Sequence, residues 1–248
     1  MSSSNWLTLQ KPDRQAKQRL FCFPYAGGAA FIYRDWSKNL PPSIEVCPVQ
    51  LPGRGSRMRE PFFRRIEPLV EAAAIALLPY LDRPFAFFGH SMGALISFEL
   101  ARLLRREHKL HVSKLFLSGR GAPHLPDREP TTYNLPEPEF IAELQRLKGT
   151  PQEVLAHPEL MDLMSPILRA DFEICQTYEY VPEPPLECPI TAFGGLQDEE
   201  VSHRQLDAWR EHTNSLFSLR MFPGDHFFLH ASAPVLHRMI AQELWDVT

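Results

Sequence analysis

The sequence predicts an α/β fold with a doubly wound, mostly parallel sheet, and three observations support this class. Short apolar runs without polar alternation recur along the 248 residues, as in strands that are buried on both faces. Stretches with helical periodicity lie between these runs, an alternation typical of a parallel sheet covered by helices. The composition, 44% hydrophobic and 23% charged residues, is that of a globular protein with a substantial core.

Six segments are candidate strands because they are short and apolar. They are residues 19–23, 44–49, 85–88, 114–118, 189–193 and 218–222. Five segments have the spacing of apolar residues expected of helices. They are residues 30–39, 66–81, 92–107, 203–212 and 232–245.

The segment 121–186 interrupts this alternation. It is rich in proline and contains two helical stretches, PEPEFIAELQRLKG and PELMDLMSPILRADFEICQTYEY, but no convincing strand. Residues 122–187 hold 13 acidic and 4 basic side chains, a net charge of −9, against −4 for the whole chain. We expect a helical insertion that divides the core into residues 1–120 and 187–248 and covers the functional site as a lid. The alternative is a helical excursion into solvent.

Charge and hydropathy argue against several classes of protein. A net charge of −4 is small and of the wrong sign for a nucleic-acid-binding protein. The first 18 residues are polar and lack the basic-then-apolar pattern of a signal peptide. The most apolar helical stretch, LVEAAAIALLPYL, is too short to cross a bilayer. We therefore expect a soluble cytoplasmic protein without a nucleic-acid or membrane partner.

The four cysteines show neither CxxC spacing nor a metal-like cluster with histidine. Cys22 and Cys47 lie in candidate strands, where a free thiol packs as a small hydrophobic side chain. We expect reduced, buried thiols at these two positions and no metal site.

The pattern Gly89-His90-Ser91-Met92-Gly93 matches G-x-S-x-G and stands between a candidate strand and a candidate helix. A turn this tight forces the central serine into strained backbone angles and requires small residues two positions to either side. The following helix brings its N-terminal N–H groups near Ser91. This context predicts that Ser91 is a nucleophile and that the His90 side chain points away from its hydroxyl. The alternative is an ordinary glycine-flanked turn.

A nucleophilic serine needs a base, and the base needs an orienting acid. After such a turn the partners follow in the order acid, then histidine, each behind a strand. His226 follows the last candidate strand and is the predicted base, with His230 as its nearest rival. Asp198 is the predicted acid because it is closest to the preceding strand among the acidic residues 198–200. Asp225 is a weaker candidate, since direct neighbours rarely reach the carboxylate-to-imidazole geometry.

The tetrahedral intermediate of acyl transfer needs two hydrogen-bond donors for its oxyanion. The backbone N–H of Met92, the residue after the nucleophile, is one candidate. The second is the N–H of Ala26 in the glycine-rich turn FCFPYAGGAAFIYRDW, after the first candidate strand. There Gly27 and Gly28 allow the backbone to approach a substrate closely. An ordinary β-to-α turn is the alternative.

Six separated stretches form a combined pattern along the chain from about residue 19 to 245. They are FPYAGG (23–28), QLPGRGSR (50–57), FGHSMGA (88–94), LRADF (168–172), FGGLQD (193–198) and PGDHFF (223–228). Together they resemble the type II thioesterases, stand-alone α/β-hydrolases that accompany non-ribosomal peptide and polyketide synthetases. The resemblance implies a triad of Ser91, Asp198 and His226, with Ala26 and Met92 as oxyanion donors.

The resemblance also implies a substrate class. The expected reaction is hydrolysis of acyl or aminoacyl thioesters from the 4′-phosphopantetheine arm of carrier proteins, which clears mis-primed or stalled units. It further implies a monomer that needs no cofactor of its own. Three alternatives stay open: a medium-chain fatty acyl thioesterase, a carboxylester hydrolase, and a non-catalytic hydrolase fold that binds carrier proteins.

The segment PGRGSRMREPFFRR, residues 52–65, is strongly basic. It contains five closely spaced arginines: Arg54, Arg57, Arg59, Arg64 and Arg65. Carrier proteins are generally acidic and their arm bears a phosphate, both of which arginine binds well. We predict a docking surface for the carrier protein here. A solvated basic loop, or arginines that pair with the acidic insertion, are the alternatives.

Overall fold

The computed structural model describes residues 5–8, 15–125 and 131–245. Within this part, six strands form one parallel sheet. The strands are β1 (Gln18–Phe23), β2 (Ile44–Pro48), β3 (Phe85–His90), β4 (Lys114–Ser118), β5 (Ile190–Gly195) and β6 (Phe217–Phe222). Their order in the sheet is β2-β1-β3-β4-β5-β6. All six candidate strands are confirmed, with bounds that differ by no more than two residues.

Side chains of each central strand alternate between two apolar clusters, one on each face of the sheet. In β1, Phe21 and Phe23 belong to one cluster, and Leu20 and Cys22 belong to the other. Phe87 of β3 packs edge-on against Phe21 and Phe23, with ring centroids 5.9 and 5.4 Å away. Because both faces are covered, both side-chain sets are apolar, which is why the strands are continuous apolar runs in the sequence.

Helices cover both faces of this sheet. They are α1 (Trp36–Asn39), α2 (Ile66–Leu77), α3 (Met92–Leu103), α4 (Glu137–Leu147), α5 (Gln152–Leu155), α6 (Pro158–Gln176), α7 (His203–Asp207), α8 (Phe228–Ala231) and α9 (Ala233–Trp245). Helices α2 and α3 pack on the cluster that contains Phe87, whereas α1 and α9 pack on the opposite one. The doubly wound architecture is therefore confirmed. Among the described residues, no helix combines the length and the apolarity needed to cross a bilayer.

Several predicted helices are interrupted. Residues 30–39 form a 3₁₀ turn, Ala30–Tyr33, followed by the short helix α1. Helix α2 ends at Leu77 and is followed by the 3₁₀ turn Leu78–Tyr80. Proline lacks a backbone N–H and is favoured in the first turn of a new helical segment. Pro79 and Pro234 occupy such positions, the second one at the start of α9.

Between β4 and β5, the residues that the structure describes form the helices α4, α5 and α6, all within the segment 121–186. The sequence predicted two helical stretches here, which correspond to α4 and α6, and missed α5, a helix of 4 residues. A separate apolar cluster joins Phe140 and Leu144 of α4 to Met161 and Leu168 of α6. The insertion therefore has a small core of its own, and that it acts as a lid stays a prediction.

The buried cysteines have free thiols, as predicted for Cys22 and Cys47. Burial raises the pKa of both thiols well above the ordinary value and raises that of Cys188 to about 12. A thiol is a weak nucleophile while it is protonated. These three side chains therefore contribute to packing rather than to chemistry.

The carboxyl ends of parallel strands share one edge of the sheet, where ligands bind in such folds. The loops that follow β1, β3, β5 and β6 therefore open at the same edge. These are the four loops that contain the predicted catalytic residues and oxyanion donors.

Candidate active site

Ser91 lies on a sharp turn between β3 and α3. Its backbone has φ 52° and ψ −114°, an unfavourable combination for a residue with a side chain. Its N–H donates a hydrogen bond of 2.7 Å to the carbonyl of Ser118, at the end of β4. The strand, the turn and the helix form the arrangement that presents a serine hydroxyl above a sheet edge.

The two glycines of the motif are required by close backbone contacts. A Cβ atom on Gly89 would lie 2.0 Å from the carbonyl oxygen of Gly93. A Cβ atom on Gly93 would lie 2.1 Å from the carbonyl oxygen of Phe23, at the end of β1. The start of α3 therefore packs directly against the end of β1, which brings the loop after β1 close to Ser91.

His226 and Asp198 are joined by a hydrogen bond between Nδ1 and Oδ2, with a length of 2.9 Å. The Asp198 side chain is fully buried. Its other oxygen, Oδ1, accepts hydrogen bonds from the N–H groups of Glu200 (2.9 Å) and Val201 (3.2 Å). The carboxylate thus fixes the histidine ring in one orientation, with the proton on Nδ1.

Ser91, His226 and Ala26 line one cavity of about 490 Å³. The helices α4 and α6 of the insertion supply part of its lining, through side chains such as Leu144 and Leu168. The insertion and Ser91 therefore line the same cavity. Among the described residues, no hydrogen bond joins the Ser91 hydroxyl to His226.

The rival candidates have other partners. Nε2 of His230 is 3.1 Å from the hydroxyl of Tyr25. The Asp225 carboxylate accepts the N–H of Phe227 at 2.9 Å, a local turn contact. Glu200 forms an ion pair with Arg146 at 2.7 Å. In these contacts, neither rival carboxylate bonds to the His226 ring, and His230 does not bond to Asp198.

His90 is the last residue of β3 and is fully buried. Its Nδ1 is 2.9 Å from the hydroxyl of Ser118, and its ring centroid is 5.1 Å from that of His226. Burial holds the pKa of His90 well below the ordinary value, so the ring is neutral at pH 7. The side chain is bonded to Ser118 rather than to the Ser91 hydroxyl.

Of the two predicted oxyanion donors, Ala26 lines the cavity, and Met92 directly follows Ser91, which also lines it. Met92 is the first residue of α3, so its N–H belongs to the first turn, whose N–H groups have no partner inside the helix. Ala26 lies on the turn after β1, next to Gly27, whose φ is +74°. The N–H of Gly27 donates to Oδ2 of Asp171 at 2.8 Å.

Asp171 is the site residue to which the sequence analysis gave no role. It lies in the stretch LRADF on α6 and is buried. Leu168 and Ile174, three positions to either side, are also buried. A carboxylate on the apolar side of a helix is the sequence signal that could have identified it, because charged residues are seldom buried without a partner.

The five arginines of residues 52–65 do not form one exposed surface. Arg54 is 4% exposed and pairs with Asp171, and Arg57 is 7% exposed and pairs with Glu60. Burial removes both side chains from any docking surface, so the prediction is wrong for them. The exposed members are Arg59, Arg64 and Arg65.

Arg64 donates to Glu173 of α6 at 2.7 Å, and Arg65 donates to the carbonyl of Thr177 at 3.3 Å. Together with Arg54, these contacts show that part of the basic segment pairs with the insertion, which was the alternative expectation. A docking role stays a prediction for Arg59, Arg64 and Arg65.

Comparison with known proteins gives one consistent family. The model of the thioesterase domain matches residues 18–244. Linear gramicidin dehydrogenase LgrE of Brevibacillus parabrevis is 48% identical over 98% of this chain and 94% of its own length. Gramicidin S biosynthesis protein GrsT of Aneurinibacillus migulanus is 46% identical over 97% of this chain and 94% of its own length. The solved structure of the type II thioesterase BorB, from the borrelidin biosynthetic cluster, superposes with a TM-score of 0.88 at 36% identity. That superposition covers 96% of this chain and 97% of the BorB chain.

Proposed function

The chain belongs to the thioesterase family, and from this premise we propose that it releases acyl and aminoacyl groups from carrier proteins through an ester on Ser91. The substrate is a thioester on the 4′-phosphopantetheine arm of the carrier. The single observation that carries the proposal is the shared cavity. It is lined both by Ser91, which lies on a strained turn, and by His226, which the buried carboxylate of Asp198 orients.

In the first step the Oγ atom of Ser91 attacks the thioester carbonyl carbon while Nε2 of His226 takes the hydroxyl proton. Asp198 accepts the Nδ1–H of the ring and stabilises the imidazolium that forms. The carbonyl oxygen becomes an oxyanion, to which the N–H groups of Met92 and Ala26 donate. The unbonded Ser91 hydroxyl must approach His226 more closely in this step, as is common when a substrate binds.

In the second step the carbon–sulfur bond breaks, the sulfur takes the proton from His226, and an acyl ester remains on Ser91. A thiol of pKa about 8.5 is a far better leaving group than an amine, so oxyanion stabilisation matters more here than acid catalysis. Water then replaces the thiol, gives its proton to His226, and attacks the ester. The carboxylic acid leaves, and Ser91 regains its proton.

The carrier-bound substrate class is supported by the relatives. GrsT is named as a gramicidin S biosynthesis protein, and BorB is a type II thioesterase of a biosynthetic cluster. By analogy the chain would regenerate synthetase modules that carry a mis-primed or stalled group. A cavity of about 490 Å³ is within the usual range for small-molecule sites. The proposed chemistry needs no cofactor, because the chain supplies the nucleophile, base, acid and donors.

Three other functions fit parts of the same site. A medium-chain fatty acyl thioesterase or a carboxylester hydrolase would use the same three side chains and differ in the substrate preferred. A non-catalytic binding module would not require the ordered His226–Asp198 pair. The dehydrogenase name of LgrE finds no counterpart in the sequence, because the dinucleotide-binding pattern G-x-G-x-x-G does not occur in it.

The test uses acyl-, aminoacyl- and peptidyl-carrier proteins as substrates for the wild type and for Ser91→Ala. We expect the wild type to release the free acid and its intact mass to show a transient acyl adduct. Ser91→Ala should show neither. Wild-type turnover by Ser91→Ala would refute the serine mechanism. Faster cleavage of an oxygen ester than of the matching thioester would favour the carboxylester hydrolase.

A further inference from the structure

A buried ion pair connects α6 of the insertion to the loop that contains Ala26. Asp171 is 1% exposed, and its two oxygens accept hydrogen bonds from the two terminal nitrogens of Arg54, at 2.7 and 2.5 Å. The oxygen Oδ2 also accepts the N–H of Gly27 at 2.8 Å. The carboxylate is thus shared between Arg54 and the residue directly after the predicted oxyanion donor.

Arg54 holds the same loop at a second point. Its Nη1 atom donates to the carbonyl of Gly28 at 3.3 Å. Its own carbonyl accepts from Nε2 of Gln50 at 3.0 Å, and Oε1 of Gln50 accepts the N–H of Ala30 at 3.3 Å. Three successive parts of the loop are therefore fixed by side chains from outside it.

Direct packing adds to these bonds. A Cβ atom on Gly27 would lie 2.5 Å from Cδ2 of Leu168, which is one turn before Asp171 on α6. The helix therefore lies against the loop backbone itself. A displacement of α6 would take the carboxylate away from Gly27 and leave its N–H without a partner.

The positive charge of Arg54 is also needed, to balance the buried negative charge of Asp171. A buried carboxylate without a counter-ion would oppose the negative charge that develops on the carbonyl oxygen nearby. Guanidinium is always protonated and bonds a carboxylate through two parallel contacts. The pair therefore gives the loop a strong acceptor with little net charge.

We infer that Asp171, held by Arg54, is a positioning residue that aims the N–H of Ala26 at the reacting carbonyl oxygen. The inference rests on the proposed serine mechanism. Because the donor acts mainly on the tetrahedral intermediate, a misplaced loop lowers kcat and leaves KM nearly unchanged. A contact that served only to hold the insertion in place would not lower kcat while leaving KM unchanged.

The test compares Asp171→Asn with Glu173→Gln on a small acyl thioester that lacks a carrier protein. Glu173 is the matched control because it also joins α6 to the arginine segment, through Arg64. Among the described residues it forms no hydrogen bond or ion pair with the loop. For Asp171→Asn we expect kcat to fall about tenfold to a hundredfold and KM to stay within about threefold. For Glu173→Gln we expect wild-type kcat and KM.

Two outcomes overturn the inference. One is an Asp171→Asn enzyme with the wild-type kcat, and the other is an equal loss in both variants, which would mean that any α6 contact suffices. If Asp171→Asn does not fold by circular dichroism, Arg54→Lys decides by the same criterion, since it keeps the charge and loses the paired contact. Ser91→Ala is measured in parallel. If Ser91→Ala is active, the serine mechanism is wrong. If Ser91→Ala is inactive and Asp171→Asn has the wild-type kcat, only the positioning role of Asp171 is wrong.

Discussion

His226 and Asp198 are 28 positions apart in the chain, yet Nδ1 of the histidine lies 2.9 Å from Oδ2 of the aspartate. The aspartate side chain has no exposed surface, and backbone N–H groups occupy its second oxygen. A carboxylate held in this way accepts from one imidazole tautomer, the one that leaves Nε2 free to accept a proton. The tautomer of His226 therefore depends on a group on the far side of its ring.

The first prediction concerns this pair. Asp198→Asn should lower kcat by roughly 10⁴-fold, because the amide favours the wrong histidine tautomer and cannot stabilise the imidazolium. The measurement is steady-state hydrolysis of a small acyl thioester. Asp225→Asn is the matched control, since Asp225 adjoins His226 but, within the described part of the chain, its carboxylate accepts only the N–H of Phe227. A larger loss in the control than in Asp198→Asn would reassign the acid.

A second prediction follows from the contact between α3 and β1. In Gly93→Ala the new methyl group would lie 2.1 Å from the carbonyl oxygen of Phe23, a backbone atom that cannot move aside as a flexible side chain could. We expect a loss of at least about 2 kcal/mol in the free energy of unfolding, as for other overpacked cores.

Urea unfolding gives the measurement, with Ser97→Ala as the control. The Ser97 hydroxyl donates to the carbonyl of Gly93 at 2.8 Å, so its removal costs only about 1 kcal/mol. Equal stability of Gly93→Ala and the wild type would contradict the close packing of α3 against β1.

Local patterns in the sequence were enough to predict much of the site. The strands are continuous apolar runs, and the glycines around Ser91 mark the turn, so both could be recognised without distant contacts. The chain order of acid and histidine after two later strands then indicated Asp198 and His226, and the structure brings these two together.

The partner of Arg54 could not be identified in this way. Its partner, Asp171, is 117 positions away, and an arginine in a glycine-rich segment resembles an exposed one until the fold is known. The segment was therefore predicted as a single basic surface, although two of its five members are buried. Contacts between distant charged side chains depend on the packing of the insertion, which periodicity does not reveal.

The third prediction concerns carrier docking by the exposed arginines. Arg59→Glu should raise KM for a carrier-bound thioester by about threefold to tenfold. Carrier proteins are generally acidic, and charges at the rim of an interface mainly change the rate at which the partners associate. The effect should shrink at high salt. KM for a small thioester should not change.

Arg238→Glu provides the control for this experiment, because Arg238 is also exposed but lies on α9. It carries the same change in net charge. Equal shifts in KM for the two variants would point to total charge rather than to a docking surface at residues 59–65.

The fourth prediction is a loss of stability in mild acid. His212 is buried, with Nε2 2.7 Å from Nδ1 of His124. Burial, with a smaller contribution from His124, lowers the pKa of His212 to about 4. An unfolded chain has a histidine pKa of about 6.5, so between these values the unfolded state binds the proton and the folded state does not. The free energy of unfolding must therefore fall as the pH drops from about 6.5 to 4. Above about pH 6.5, His212 is neutral in both states and contributes no pH dependence to the free energy of unfolding.

One such histidine contributes a slope of up to about 1.4 kcal/mol per pH unit within that window. Other groups add their own slopes, including His90, whose pKa burial also lowers, so the comparison has to be made with a variant. His212→Gln keeps a hydrogen-bonding group near His124 but cannot be protonated. We expect urea unfolding at pH 7, 6 and 5 to show a shallower pH dependence for His212→Gln than for the wild type. His111→Gln, at an exposed position, should keep the wild-type dependence. Parallel curves for the wild type and His212→Gln would mean that His212 is already protonated, or freely protonated, in the folded state.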